Sequence, residues 1–368
     1  MTLALGVAFA VACAPGFGVQ EGSTDRLAGD ADAVVIGETL SGVQTGNSVA
    51  LVLSVIRAIK GDLAAGATLD VTGRVKLSLT GDLQSKHYGL WFLKRAGDHW
   101  AFIPVFPNCP TLNLGCFVPF SSTTSPGTVG TASLPATTGD RVALELVAAL
   151  EQGYTSRSQL DTLARAFNGL GRRPFVSGLC RILRANPDPE LRFIGLTGML
   201  GGPDETSALA EIADNVNLIP KLKASAVLVP TLCGIRSTDP AAVLSLGRLS
   251  ADPYTKRCAA MSLDFIHTRE TLPFLARLLD STDPKAREYA IQGLSRFVEN
   301  LPIAEANDQI TGKSHRPQGP TPYRTAETDR YSLANRWLRS DSETEYLRFW
   351  KSWWASVKNE LGPAPKAE

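Results

Sequence analysis

Pro189-Glu190-Leu191-Arg192, Pro220-Lys221-Leu222-Lys223, Pro253-Tyr254-Thr255-Lys256 and Pro284-Lys285-Ala286-Arg287 repeat one pattern, a proline with a basic residue three positions on. The four prolines lie 31, 33 and 31 residues apart, and each precedes a helical run of small and apolar residues. A fixed period of this size marks an architecture of stacked supersecondary units.

The fourth unit reads most clearly. In Thr271-Leu272-Pro273-Phe274-Leu275-Ala276-Arg277-Leu278-Leu279, residues Leu272, Leu275, Leu278 and Leu279 share one helical face. Pro273 falls in the first turn, where its missing N–H costs nothing. Ser281-Thr282-Asp283-Pro284 breaks that helix, with Asp283 as N-cap and Pro284 at the next first helical position. Ala286, Ala290, Ile291, Leu294, Phe297 and Val298 then form the apolar face of a second helix, and Asn300-Leu301-Pro302 ends it. One helix pair cannot bury both apolar faces, so neighbouring units are expected to stack around a shared core. Asp188-Pro189 and Asp252-Pro253 repeat the cap, whereas Ile219-Pro220 lacks the aspartate. Arg192, Lys223, Lys256 and Arg287 recur because the unit recurs. They read as partners for carboxylates of adjacent turns rather than as a binding ladder.

The Asp-Pro-x-x-Arg/Lys turn followed by an Ala/Leu-rich helix resembles the HEAT-repeat family in its short bacterial form. The resemblance implies an α-solenoid, expected over residues 139–301, and says little about activity. Two amphipathic segments, residues 140–151 and 158–170, precede the repeats and fit a capping unit.

Earlier in the chain the period falls to two. Ala33-Val34-Val35-Ile36-Gly37 reads as a short strand and residues 49–61 as a longer one. Residues 67–72 and 75–79 alternate. Tyr88-Gly89-Leu90-Trp91-Phe92-Leu93 and His99-Trp100-Ala101-Phe102-Ile103-Pro104 form a hairpin about Arg95-Ala96-Gly97-Asp98. Several short strands with turn signals suggest a small antiparallel barrel or sandwich. Ala-Asp-Ala-Val-Val-Ile-Gly-Glu (residues 31–38), the strand ending Ile59-Lys60-Gly61 and the Tyr-Gly-Leu-Trp-Phe-Leu strand resemble netrin-like, OB-type barrels. That assigns residues 27–120 to a β domain. The inhibitor branch of that family chelates a target zinc through an N-terminal cysteine, and no Cys-x-Cys start precedes the first strand. Trp91 and Trp100 read as core. Residues 121–138, rich in Ser, Thr, Gly and Pro, read as a linker.

Residues 1–14 are apolar and end in small residues, too short for a bilayer span of about 20 apolar residues. Residues 1–20 resemble a secretory or lipoprotein signal, with Cys13 of Ala10-Val11-Ala12-Cys13 as the lipidation candidate. Cys109 and Cys116 bracket Pro110-Thr111-Leu112-Asn113-Leu114-Gly115 and are expected to pair in an oxidising compartment. Cys180, Cys233 and Cys258 lie on apolar helical patterns and read as buried thiols. The four histidines, His87, His99, His267 and His315, show no ligand spacing.

Residues 302–326 read as a long polar loop, either a disordered strap or a segment laid along the solenoid. Tyr346, Phe349, Trp350, Trp353, Trp354, Val357 and Leu361 make a wide helical stripe. Within residues 327–361 it reads as a cap on the stack, with an aromatic ligand platform as the alternative. A net charge of +1 implies no polyanionic partner, so nucleic acid is not expected. No catalytic constellation, metal set or cofactor motif stands out. The expectation is therefore an exported, non-enzymatic scaffold, lipid-anchored or soluble, that binds a protein or peptide through the solenoid. Arg296 and Glu299 are candidate contributors to the binding face. The alternatives are an accessory or inhibitory role for the barrel, and a bilin-lyase-like enzyme.

Overall fold

The computed structural model describes residues 23–45, 48–74, 88–103, 117–121, 135–171, 173–222, 228, 231–303, 319, 321–334, 338 and 341–361. Among the expectations above, the strand at 75–79, Cys13, Cys109, Cys116, Lys223 and most of the loop at 302–326 fall outside the described residues. One compact unit runs to Thr231 and a second begins at Leu232.

In the first unit, β1 (Ala33–Thr45) and β2 (Ser48–Lys60) form a long hairpin, and β3 (Thr68–Arg74) pairs antiparallel with β2. β4 (Tyr88–Ala96) and β5 (His99–Phe102) are joined by a two-residue turn at Gly97 and Asp98. Gly97 sits at φ +67°, a region costly for residues with a side chain. The strands run in the order β1-β2-β3-β5-β4, and β4 returns to β1 from Ala33↔Leu93 to Glu38↔Tyr88. The result is a closed five-stranded barrel. β6 (Phe117–Pro119) adds to β4 at residues 89–91.

Two expectations are corrected here. The barrel is not wholly antiparallel, because β3 and β5 pair in parallel through Val71↔Trp100 and Thr72↔Ala101. The first strand does not stop at Gly37 but continues to Thr45. Three register shifts against β2, the last between Thr39 and Ser41, let β1 bend from the barrel wall into the hairpin. The polar run after Gly37 concealed this.

Alternate residues explain the apolar β1 and β4 runs. Ala33, Val35, Trp91 and Leu93 point inward with Val49, Leu51, Leu53, Val55, Leu69, Val71 and Trp100. Trp91 stacks on Phe117 at 4.1 Å. Val34, Ile36, Leu90 and Phe92 have the opposite parity, yet each is at most 1% exposed. A strand buried on both faces reads as a continuous apolar run. α1 (Ser23–Asp30), α2 (Thr138–Gln152) and α3 (Arg157–Asn168) cover this side, with contacts to β4, β2 and β6.

Polar ties join these helices to one another and to the barrel. Arg173 meets Asp25 at 2.8 Å and Asp140 at 3.0 Å. Arg57 of β2 meets Glu145 of α2 at 2.5 Å. Burial raises the Glu145 carboxyl above the usual range, and the Arg57 guanidinium opposes that shift. Within residues 121–138, Ser121 Oγ donates to Gly153 O at 2.6 Å and Thr137 caps α2.

α4 (Pro174–Arg184), α5 (Pro189–Met199) and α6 (Glu205–Asp214) follow. α2 packs on α4 and α3 on α5, first helix on first and second on second. Asp188 caps α5 by accepting from Glu190 N at 2.8 Å. Glu211 of α6 receives both Arg184 of α4 and Arg192 of α5, at 2.6 and 2.5 Å. Pro220 does not open a helix. It lies inside a 3₁₀ turn, Val216–Lys221, because without an aspartate before it no side chain caps a new α-helix there.

The second unit begins a new pair at Asp239-Pro240, which the period from proline to basic residue passes over. α7 (Pro240–Leu249) is capped by Asp239, which accepts from Ala241 N at 2.8 Å. Asp252 accepts from Tyr254 N and Thr255 N, so Pro253 lies in a turn, and α8 (Lys256–Ile266) starts only at Lys256. α9 (Leu272–Leu278) and α10 (Pro284–Val298) follow the fourth-unit reading closely. Pro273 lies in the first turn, and Asp283 accepts from Lys285 N and Ala286 N at 2.8 and 3.3 Å. α8 packs on α10, and the 3₁₀ turn Arg269–Thr271 leading into α9 packs on α7.

α11 (Ala326–Arg330) and α12 (Glu343–Val357) complete the unit. Trp350 is fully enclosed and Trp353 is buried, with α12 lying on α9 and α10. Arg287 pairs with Glu343 of α12 at 2.7 Å, and Arg269 Nη2 donates to Glu360 O at 2.9 Å. Among the described residues, no helix is long and apolar enough to cross a membrane.

Candidate functional site

α10 is buried on more than its apolar face. Besides Ala286, Ala290, Ile291, Leu294 and Val298, the polar residues Glu288, Gln292, Ser295 and Arg296 are all under 9% exposed. Their spacing makes a second stripe along the helix, which on sequence alone would face solvent. The chain itself covers this stripe, some 30 to 50 residues further on.

Four polar contacts define the cover. Ser332 Oγ donates to Glu299, and Leu333 N donates to Ser295 Oγ at 3.0 Å. Arg296 Nε donates to Ala334 O at 3.2 Å, and Leu338 N donates to Glu288 Oε1 at 3.3 Å. Read along the chain, residues 332–334 meet α10 and its C-cap at 299, 295 and 296, and Leu338 meets α10 at 288. Leu333 and Ala334 are each 2% exposed. Three of the four contacts go to backbone groups of the covering residues.

Beneath this groove is a buried charge cluster. Arg296 makes a short ion pair with Asp264 of α8, whose carboxylate is enclosed. Burial pushes Asp264 up to about 6, while Arg296 and, more weakly, Arg236 pull it down and Glu288 adds to the rise. The Arg236 and Arg296 guanidiniums lie 4.2 and 4.7 Å from the Phe265 ring centre. Gly293 permits the crossing, since a Cβ there would stand 2.9 Å from Asp264 Cα. His267 ends α8 at φ +31° and places its two ring nitrogens 3.1 Å from Asp264 O and 2.8 Å from Leu301 O. Burial lowers its pKa, against the pull of those carbonyls. Arg296 thus links an enclosed carboxylate to the carbonyl of the covering residue Ala334.

This overturns the expectation that Arg296 offers a charge to a partner at the surface. It is 7% exposed, because a segment remote in sequence lies over it. Glu299 is half-buried and receives Ser332. Of the basic turn residues, Arg192 meets Glu211, and Arg287 meets Glu343 and the Ser281 carbonyl. At the Pro253 turn the ion pair is made by Arg257, which reaches Asp283 at 2.9 Å, rather than by half-buried Lys256. Pro189 and Pro284 sit at first helical positions. None of these turn residues converges on the α10 groove except through Asp283 and Arg287 at its N-terminal end.

Cys180, Cys233 and Cys258 are buried thiols. Among the described residues, no group of three His, Cys, Asp or Glu side chains is placed to hold a metal. Glu288, Ser295 and the 332–338 segment escaped the sequence reading. The signal that could have found them was the helical stripe Glu288, Gln292, Ser295, Glu299, polar and regularly spaced opposite the apolar face.

No family model, curated protein or solved structure matches this chain.

Proposed function

We propose that this protein is a scaffold that binds a partner protein or peptide through a solenoid of HEAT-like helix pairs, with an OB-type barrel joined to its first pair. The observation that carries the reading is the α10 surface. It holds backbone groups of Leu333, Ala334 and Leu338 with the side chains of Ser295, Arg296 and Glu288. Side-chain recognition of a peptide backbone suits a protein ligand, because it fixes register while pockets read side chains. The first-on-first, second-on-second packing of α2 and α3 on α4 and α5 supports the solenoid reading. The strand order, with its parallel β3–β5 pair, supports the OB-type reading. The apolar residues 1–14 support export, with Cys13 as the acylation site if the chain is anchored.

The test is affinity capture from an envelope fraction with the tagged full chain, beside a hydrolase and lyase panel. Reproducible, saturable capture of one partner is expected. Turnover that survives repurification, with no partner captured, overturns the reading.

A second reading places an accessory or inhibitory activity on the barrel. It is favoured by the β1–β2 end, where the apolar side chains Leu40 and Val43 are 52% and 66% exposed. Leu40→Ser with Val43→Ser would abolish partner capture on this reading and leave it intact on the first.

A further inference from the structure

We propose that residues 332–334 and Leu338 are a resident pseudo-ligand of the α10 groove, and that the partner enters as a peptide of the same chemistry, a hydroxyl residue followed by Leu-Ala. This deepens the scaffold reading and rests on it.

The groove's contacts specify that chemistry. Ser295 Oγ accepts from Leu333 N while donating to Ile291 O, so its single hydroxyl proton is committed and its lone pair is aimed at an incoming N–H. Arg296 supplies the matching donor to a carbonyl one residue on, and the Asp264 ion pair holds that guanidinium in place. Glu299 accepts a hydroxyl and Glu288 an N–H, so the two ends of the groove call for donors on the ligand. Among the segment's described residues, the deeply buried apolar contacts are those of Leu333 and Ala334, each 2% exposed. A segment with Ser or Thr, then Leu, then Ala satisfies each group. A segment with a carboxylate in place of the leucine would bury an unpaired charge.

The occupant is tethered. Trp350 Nε1 donates to Tyr331 O at 3.0 Å, and Tyr331 stacks on Phe349 at 4.4 Å, so α12 holds the segment's N-terminal end. A tethered occupant competes at high effective concentration, and a partner must displace it. The resident segment therefore sets a threshold for binding.

The probe is a fluorescein-labelled peptide with the sequence of residues 329–338, titrated by anisotropy into the full chain. Leu333→Asp expels the segment without altering α10. It should bind the peptide at least tenfold more tightly than the wild type, and a peptide carrying Asp in place of that leucine should not bind. Leu333→Ala serves if the aspartate variant fails to fold, and should give a smaller gain of the same sign. Adding Ser295→Ala to either variant should weaken the peptide severalfold. Folded Leu333 variants that ignore the peptide overturn the proposal. If they still capture the partner as the wild type does, the scaffold reading stands and the groove is not its site. A wild-type dimer that becomes monomeric in Leu333→Asp would assign the groove to a second copy exchanging this segment, and would equally overturn the proposal.

Discussion

The indole N–H of Trp350 donates to the backbone carbonyl of Tyr331 at 3.0 Å, and through that one bond the last helix grips the segment that covers α10. Trp350 is fully buried and lies 5.3 Å from the Trp353 ring and 5.2 Å from Phe349. Truncating such a side chain removes its transfer energy and leaves a cavity, typically about 3–5 kcal/mol. Trp350→Ala should lower the melting temperature clearly, while half-exposed Trp354→Ala should change it little. Thermal unfolding followed by circular dichroism reads the difference. Unchanged stability with lost partner capture in Trp350→Ala and Trp353→Ala would restore the ligand-platform alternative.

Asp264 predicts a pH dependence with a definite sign. Burial lifts its folded-state pKa to about 6, above the ordinary carboxylate range near 4. A raised pKa means that the folded state holds the proton more tightly than the unfolded chain. The contribution is fully present below about pH 4 and is lost as the pH climbs through about 6. The stability of the wild type relative to Asp264→Asn should therefore fall by up to about 3 kcal/mol between pH 4 and pH 7.5. Urea unfolding of both proteins across that range checks it. A gap that stays flat or widens with pH would refute the assignment.

The fourth repeat was legible because each of its signals is local. Asp283, Pro284 and the Leu272, Leu275, Leu278 and Leu279 face obey capping and periodicity within about twenty residues. The groove was not legible, because its polarity is satisfied by Leu333, Ala334 and Leu338, and no local pattern announces which distant strand will cover a polar stripe. Asp239-Pro240 escaped for a smaller reason. It caps a helix as Asp283-Pro284 does, but Val243 stands where the pattern wanted a basic residue. In the barrel, Trp91 and Trp100 lie in the core as read, yet the extension of β1 to Thr45 follows from pairing with β2 rather than from its own alternation.

The barrel should not stand alone. Val34, Ile36, Leu90 and Phe92 form an outward apolar face that α1, α2 and α3 cover, and burying each such side chain contributes about 1.5–3 kcal/mol. A fragment spanning residues 23–121 should be insoluble or should bind a hydrophobic dye strongly. A fragment spanning residues 23–222 should be soluble and melt cooperatively. A stable, dye-silent short fragment would refute the shared core.

Cys109 and Cys116 are expected to be joined in exported material. A loop this short contributes roughly 2–3 kcal/mol on the chain-entropy account. Peptide mapping without reductant should recover the linked pair, and free thiols at both positions would refute it.

Helices that stack first on first and second on second leave, at the outer end of any series, a raw surface that matches the one another copy presents. Such head-to-tail complementarity grows into fibres wherever its rotation does not close a ring. The barrel is clasped to α2 by Arg57 and Glu145 and to α1 by Lys60 on the carbonyls of Ala28 and Gly29, beside the first helix pair. If the helix pairs stack as proposed, the barrel would serve, beyond any ligand of its own, as a stopper at the first helices.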